Sequence, residues 1–140
     1  MSFLHPHPAI IVTEPDFERL FALAQSLKPR QPNVADMLDS ELNRASLVPP
    51  QSVPGDVATM GSHLVFGYEH SRKPHWLSLV WPDEADLESA KISVGTPVGA
   101  ALIGLREGQS IAWSMPSGQR RAITLHKVAY QPEREGRYDV

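Results

Sequence analysis

Two aspartates, Asp36 and Asp39, are the residues of this 140-residue chain whose type and spacing best suit shared chemistry. They stand three apart in a segment with helical periodicity, so their side chains should occupy neighbouring surface positions. Carboxylate oxygens are hard ligands of the kind that Mg²⁺ prefers, and Mg²⁺ commonly binds through only one or two of them. A simpler interpretation, which we favour, is that Asp36 stabilises the amino terminus of its helix and Asp39 faces solvent.

The other polar residues form no pattern typical of an enzyme or a metal site. There is no cysteine, which excludes disulfides, thiolate ligands and cysteine nucleophiles. The histidines do not stand at ligand spacing from a carboxylate or cysteine; they are His5, His7, His63, His70, His75 and His126. No serine lies in a nucleophile elbow, and no phosphate-binding glycine loop occurs. We therefore predict no catalytic residue, no cofactor and no metal, and expect that the chain is not an independent enzyme.

Two amphipathic helices are predicted to carry the two aspartates and the residues before them. Apolar residues recur at helical spacing in each; they are Phe17, Leu20, Phe21, Ala24 and Leu27, and then Val34, Leu38, Leu42 and Ala45. Thr13 can cap the first helix, Pro29 and Pro32 end it, and Asn33 can cap the second. Because the connection is so short, we expect an antiparallel hairpin over 13–48, about 21 Å long.

A second region is predicted beyond a proline-rich connector at 49–55. Apolar residues there alternate with a period of two, which is typical of half-buried strands; they include Leu64, Phe66, Tyr68, Leu77, Leu79, Trp81, Ile111, Trp113, Ile123 and Leu125. Thr96–Gly104 reads as one short helix. The alternation changes phase near His126-Lys127, since Val128 and Tyr130 lie on the opposite parity, which predicts a bulge or bend in the strand. The predicted fold class is α+β, with the helical hairpin followed by an antiparallel sheet domain over 56–133. Residues 1–12 are assigned to an extension and 134–140 to a tail.

Charge and hydropathy exclude several classes of partner. The net charge of −3 gives no general attraction to phosphate, and the basic pairs Arg72-Lys73 and Arg120-Arg121 are too small for a nucleic-acid footprint. No apolar stretch approaches the roughly 20 residues of a membrane span, and Met1–Pro8 does not resemble a secretory signal. We expect a cytoplasmic protein without strong direct nucleic-acid binding.

Several local sequences occur in a characteristic order. The strongest stretch is Ile92–Ile111, followed by Met115–Gly118 and Val128–Tyr130, with Asp56–Phe66 and Asn33–Ala45 before it. In this order they resemble the Gre family of bacterial transcription factors, and most closely its smaller members, the regulators of nucleoside diphosphate kinase. The resemblance implies an FKBP-like carboxy-terminal domain.

The resemblance also implies a partner and its contact residues. Gre factors dock at the rim of the secondary channel of RNA polymerase, with their helical pair pointing into the channel. The implied contact loop is Ser93, Val94, Gly95, Thr96 and Pro97, and the implied channel-facing hairpin tip is Lys28, Arg30, Gln31 and Asn33. The loop precedes a helix amino terminus, whose unpaired N–H groups suit a polar partner, but Pro97 and Gly99 also have the residue types that simply shape a turn.

Several functions follow from these expectations. Full-length Gre factors carry an acidic pair at the tip that helps to hold a catalytic metal ion, whereas the tip here is basic and the hairpin is short. The leading hypothesis is therefore a non-catalytic regulator that competes with Gre-type factors. The alternatives are a cleavage-stimulating factor that uses Asp36 and Asp39, and an FKBP-like peptide-binding module. Any influence on nucleoside diphosphate kinase would be indirect.

Overall fold

The structure is a computed structural model that describes residues 8–114 and 117–138. His5, His7 and the first two residues of the Met115–Gly118 sequence lie outside this part of the chain.

Both predicted helices are present and pack against each other. Helix α1 is Glu14–Leu27 and helix α2 is Pro32–Asn43. The Thr13 cap is confirmed, because the Asp16 N–H donates to the Thr13 hydroxyl at 3.4 Å. The Asn33 cap is wrong. The preset φ of Pro32 suits a first helical turn, so α2 begins two residues earlier than a cap at Asn33 implies, and Gln31 precedes it without a side-chain cap.

Two short strands flank the helices, and the sequence pattern predicted neither. Strand β1 (Ile10–Thr13) pairs in parallel with β2 (Ala45–Val48), which follows directly on α2. Ala45, predicted on the apolar face of the second helix, is therefore a strand residue. Ile10 is fully buried and Val12 is 2% exposed, so β1 belongs to the core.

The predicted alternation from Leu64 onward is confirmed as a five-stranded sheet. Its strands are β3 (His63–Tyr68), β4 (His75–Val80), β5 (Lys91–Ser93), β6 (Ser110–Ser114) and β7 (Arg120–Tyr130), in the order β5-β4-β3-β7-β6. The sheet is mixed rather than wholly antiparallel, because β4 and β5 run in parallel. The bulge predicted near His126 is confirmed: Val65 pairs with Lys127 and Phe66 with Leu125, which leaves His126 without an opposite residue.

The short helix α3 (Pro97–Leu102) and the turn after it connect the sheet to the amino-terminal region. Gly104, with φ +83°, donates its N–H to the Ala58 carbonyl at 2.8 Å and accepts from the Ile11 N–H at 3.2 Å. One hydrophobic core therefore includes residues from β1, both long helices, α3 and the sheet. Among the described residues, no helix combines the length and apolar character needed to cross a membrane.

Gly104 offers a test of this connection. A Cβ added there would lie 2.8 Å from the Ile10 Cβ, whereas one added at Gly108, which also has a positive φ of +89°, would meet nothing within 4 Å. We expect Gly108→Ala to lower the free energy of unfolding by about 1–2 kcal/mol through its backbone conformation alone. Gly104→Ala should cost a further ~1–3 kcal/mol because Ile10 must move in a close-packed core. Urea denaturation followed by tryptophan fluorescence measures both, and equal losses would contradict close packing at Gly104.

Candidate functional site

The predicted contact loop and the predicted hairpin tip lie side by side. A Cβ added at Gly95 would be 3.5 Å from the Leu27 Cδ1 atom and 3.7 Å from the Pro82 Cγ atom. The last turn of α1 therefore packs on the loop, and Leu27 is only 6% exposed. The sequence pattern predicts these two segments in separate domains, whereas in the fold they form one continuous surface.

The contact loop is held by its own hydrogen bonds. The Ser93 hydroxyl accepts from the Gly95 N–H at 2.8 Å, and the Thr96 hydroxyl donates to the Ser93 carbonyl at 2.7 Å. Ser93, Val94 and Gly95 are buried, whereas Thr96 and Pro97 are half-buried. The loop therefore offers a partner mainly the side chains of Thr96 and Pro97.

The loop geometry also accounts for the residue types at Thr96 and Gly99. Thr96 caps α3, since its hydroxyl accepts from the Gly99 N–H at 3.2 Å. A Cβ at Gly99 would lie 2.7 Å from the Val94 Cα atom, so only glycine allows this close approach. Turn formation is thus sufficient to explain Gly99.

The four predicted tip residues, Lys28, Arg30, Gln31 and Asn33, are all exposed. The Leu27 carbonyl accepts from the N–H groups of Arg30 and Gln31, at 3.1 and 2.7 Å, which closes the turn between the helices. Of these four residues, Gln31 and Asn33 take positions at the start of α2 and Lys28 ends α1.

The two aspartates of α2 have different surroundings. The Asp39 carboxylate lies 3.5 Å from the Lys28 ammonium group, while Asp36 is exposed. Across the described residues, no group of three or more histidine, aspartate or glutamate side chains could hold a metal ion. A cation already accompanies one of the two carboxylates, which lowers its attraction for a second cation.

Two concave surfaces meet at Pro97 and Trp113. One, of about 760 Å³, lies between α2 and β6 and includes the tip residue Arg30. The second concave surface has a volume of about 400 Å³, and we call it the loop groove. Its lining includes Leu87, Lys91, Ile92, Thr96, Pro97, Val98, Trp113 and Arg121. Three of the five predicted contact residues, Ser93, Thr96 and Pro97, line the loop groove.

Three residues of the groove, Leu87, Lys91 and Arg121, are not predicted as site residues by the sequence pattern. Leu87 is 83% exposed, which is unusual for a large apolar side chain. Arg121 belongs to a basic pair that had been judged too small for a nucleic-acid footprint. Lys91 carries no local signal, because only the pairing of β5 with β4 brings it to this groove.

Two buried carboxyl groups were also missed. Burial raises the pKa of Asp16 to about 6, helped by the charge of Glu133 and opposed by hydrogen bonds from Met60 and Thr13 and by Arg19. Burial likewise raises the pKa of Glu41 to about 7, although its carboxylate pairs with the Arg44 guanidinium at 2.8 Å. A sequence signal existed for Glu41, because it follows Leu38 by three positions on the apolar stripe of α2.

Comparisons with known proteins agree with this architecture. The family described as "Transcription elongation factor, GreA/GreB, C-term" matches residues 53–130, and the family described as "Rnk N-terminus" matches residues 8–48. The chain is 37% identical over 131 residues to the regulator of nucleoside diphosphate kinase of Escherichia coli strain K12, covering 94% of this chain and 96% of that protein. It is 35% identical over 83 residues to the transcription elongation factor GreA of Sphingopyxis alaskensis, covering 59% of this chain and 52% of that protein.

A solved structure supports the same family relationship. The prokaryotic transcription elongation factor GreA/GreB from Nitrosomonas europaea superposes with a TM-score of 0.68 and 37% identity, covering 86% of this chain and 99% of that chain. The fold is therefore that of a GreA/GreB-type protein. The chain belongs to the GreA/GreB family of transcription elongation factors, and to its branch of regulators of nucleoside diphosphate kinase.

Asp16 allows a test of the electrostatics at the base of α1. Its pKa is raised in the folded state, from an ordinary 3.8 to about 6, so the stability that protonated Asp16 contributes is present below pH 4 and is lost as the pH rises to about 6. That pKa difference corresponds to at most ~3 kcal/mol. We expect Asp16→Asn to be more stable than the wild type by about 1–3 kcal/mol at pH 7.5, with the difference shrinking towards pH 4.

The control for this measurement is Asp36→Asn, which removes the same charge from an exposed position of α2. Its effect on the free energy of unfolding should stay within about 0.5 kcal/mol at both pH values. If Asp16→Asn were destabilised at pH 7.5, or stabilised equally at both pH values, the assigned cost of burying the Asp16 charge would be wrong.

Proposed function

We propose that this protein is a non-catalytic transcription regulator that binds RNA polymerase at the rim of the secondary channel. Its sheet domain makes the contact, through the exposed edge of the loop Ser93–Pro97. The tip of the two helices then occupies the mouth of the channel and competes with Gre-type factors. Its site of action is the cytoplasm, where the polymerase is found.

The family relationship and the loop geometry support docking. Residues 53–130 match the GreA/GreB carboxy-terminal family, and this range contains the loop and the loop groove. The Thr96 hydroxyl donates to the Ser93 carbonyl and accepts from the Gly99 N–H, so Thr96 and the adjacent Pro97 are presented to a partner in a fixed position. A preordered loop lowers the conformational entropy lost on binding.

The single observation that carries the non-catalytic assignment is the chemistry of the tip. Lys28 pairs with Asp39, and Arg30 adds a further positive charge beside it. A basic tip does not attract a metal ion to the polymerase active site. The length of the helices also supports a non-catalytic role. Helix α1 with 14 residues and helix α2 with 12 residues extend only about 21 and 18 Å.

Finer features of the fold belong to the same proposal. We infer that α1 and α2 form an antiparallel hairpin, because only residues 28–31 connect them and their apolar faces share one core. We also infer an FKBP-like arrangement of the sheet and α3. Nothing in the described residues favours an isomerase or peptide-binding function over docking, and any effect on nucleoside diphosphate kinase would act through transcription.

Competition for the polymerase is the direct test. A fluorescently labelled Gre factor bound to core polymerase should be displaced by this protein in a saturable manner at micromolar concentrations, as measured by anisotropy. A tip variant, Lys28→Glu/Arg30→Glu, tests whether the charge of the tip contributes. Failure of the wild-type protein to displace the Gre factor, or to bind polymerase saturably by itself, would remove the proposal.

Transcript cleavage provides a second test. With stalled elongation complexes that contain backtracked RNA, we expect no cleavage above the polymerase alone, and inhibition of cleavage stimulated by an added Gre factor. Asp36→Ala and Asp39→Ala should leave both results unchanged. Cleavage by the wild-type protein that disappears in Asp36→Ala would instead establish the alternative, in which the two aspartates help to hold a metal ion.

A further inference from the structure

The five-stranded sheet has one face on the core and one face towards solvent. Leu64, Phe66 and Leu77 are buried in the core, so the residues that alternate with them on β3 and β4 point outward. Trp76 is one of these, and its side chain is 66% exposed. Tryptophan is enriched at interfaces, where a partner can cover the face of its ring. We call the solvent side of the sheet the outer face; its residues here are His63, Val65, Trp76, His126, Lys127 and Tyr130.

Further rings lie beside Trp76 on the outer face. His63 and Tyr130 are opposite each other on β3 and β7, with ring centroids 4.9 Å apart. His126, the extra residue of the bulge, lies across Gly67, because a Cβ added at Gly67 would be 2.6 Å from the His126 Nε2 atom. Gly67 therefore provides the space that the His126 ring needs. From His63 to Gly67, the rings are spread along about 13 Å of β3.

The formal charge of the strands is entirely positive among the described residues. None of the residues in the five strands is aspartate or glutamate, although the whole chain contains 16 acidic and 13 basic residues. The basic residues of the strands are Lys91, Arg120, Arg121 and Lys127. Lys127 stands in the same cross-strand row as Trp76, because both pair with Val65. Lys127 is exposed, and in the described part of the chain it forms no ion pair.

Exposed rings beside an unpaired cation suit a ligand that has both flat rings and negative charge. A single-stranded nucleic acid has this chemistry, because its bases stack on aromatic side chains while its phosphates pair with cations. A duplex hides the faces of its bases and is read by elements that enter a groove, which a sheet face does not supply. An apolar protein surface would find little to pack on, since Val65 is the only branched aliphatic residue among the six named residues.

We propose that the outer face binds single-stranded RNA. Bases stack on Trp76 and on the ring pair of His63 and Tyr130, and the Lys127 ammonium group pairs with a phosphate between them. A transcribing polymerase carries single-stranded RNA, so the inference rests on the proposed function for the source of the ligand. The net charge of −3 opposes long-range attraction, and we therefore expect a modest Kd, about 1–100 μM at 0.15 M salt.

Binding of RNA to the full-length protein tests the inference without polymerase. The probe is a fluorescein-labelled oligoadenylate of about ten nucleotides, titrated by anisotropy. Trp76→Ala should weaken binding at least about fivefold because a base loses its stacking partner, whereas Trp76→Phe keeps a ring and should lose less than about threefold. Lys127→Glu should weaken binding about fivefold and reduce the dependence of the Kd on salt.

Matched controls separate the outer face from the rest of the surface. Leu87→Ala removes an apolar side chain that is 83% exposed outside the outer face. Arg30→Glu makes the same change in net charge as Lys127→Glu, but at the exposed turn between the helices. Both should alter the Kd less than about twofold. Inorganic polyphosphate of equal length carries charge without bases and should bind at least about fivefold more weakly than the RNA. Circular dichroism verifies that every variant folds.

Several results would overturn the inference. These are no saturable binding of RNA, equal binding by the wild type and Trp76→Ala, or equal binding of RNA and polyphosphate. Weaker binding by Arg30→Glu without an effect of Trp76→Ala would instead place the RNA at the tip of the helices. Single-stranded DNA of the same sequence should bind no more tightly than the RNA, and tighter binding of the DNA would contradict the assignment to RNA.

Failure of this inference is distinguishable from failure of the proposed function. If the protein displaced a Gre factor from polymerase but bound no RNA, the inference about the outer face would be wrong while the proposed function stood. If it bound RNA through Trp76 but did not bind polymerase, the proposed function and the polymerase as the source of the RNA would be wrong. The assignment of the outer face to single-stranded RNA would then stand by itself.

Discussion

The architecture depends on close packing between the amino-terminal region and the sheet domain. Gly104 allows Ile10 to approach its backbone directly, and Leu27 packs over Gly95 at the other end of α1. The first contact holds β1, which leads directly into α1, and the second holds the last turn of α1, so the helices pack on the sheet domain instead of extending from it as a free arm. The single hydrophobic core is the consequence, and it includes residues from both regions. For a chain of only 140 residues, a shared core buries more apolar surface than two separate small cores would.

This packing determines the shape of the candidate site. Because the last turn of α1 covers the loop, the buried part of Ser93–Pro97 supports the turn and only its outer edge is left for a partner. The same packing places the basic turn between the helices next to that edge. The proposed docking surface is therefore a composite of tip, loop and groove, and its basic residues contrast with the net charge of −3 of the whole chain. Local charge, rather than net charge, governs which partner such a surface attracts.

The core also contains charge that opposes folding. Asp16 and Glu41 are 5% and 3% exposed, and burial raises the pKa of each carboxyl. Asp16 is compensated by hydrogen bonds at the start of α1, and Glu41 by the Arg44 guanidinium, which also donates to the Pro8 carbonyl at 2.8 Å. The hydrogen bond between Asp16 and Thr13 connects the start of α1 to the segment before it. Glu41 and Arg44 connect the end of α2 to Pro8. Removing one partner of a buried, hydrogen-bonded pair leaves the other partner as an uncompensated buried charge, which strongly destabilises the fold.

The sequence by itself determined the features that depend on local periodicity and local composition. These are the two amphipathic helices, the Thr13 cap, the alternating strands, the bulge at His126 and the basic composition of the turn Lys28–Asn33. The order of its local sequences also sufficed to indicate the GreA/GreB family, and the family comparisons confirmed it.

Only the tertiary structure decided the rest, because the remaining features depend on contacts between residues distant in the chain. Strands β1 and β2 form by pairing across the helical region, and four-residue strands carry too little periodicity to be recognised alone. The burial of Val94 and the meeting of Lys91, Leu87 and Arg121 in one groove follow from packing and from the order of strands in the sheet. The local sequence gives the identity of each of these residues, but only the folded chain determines which side chains share a surface.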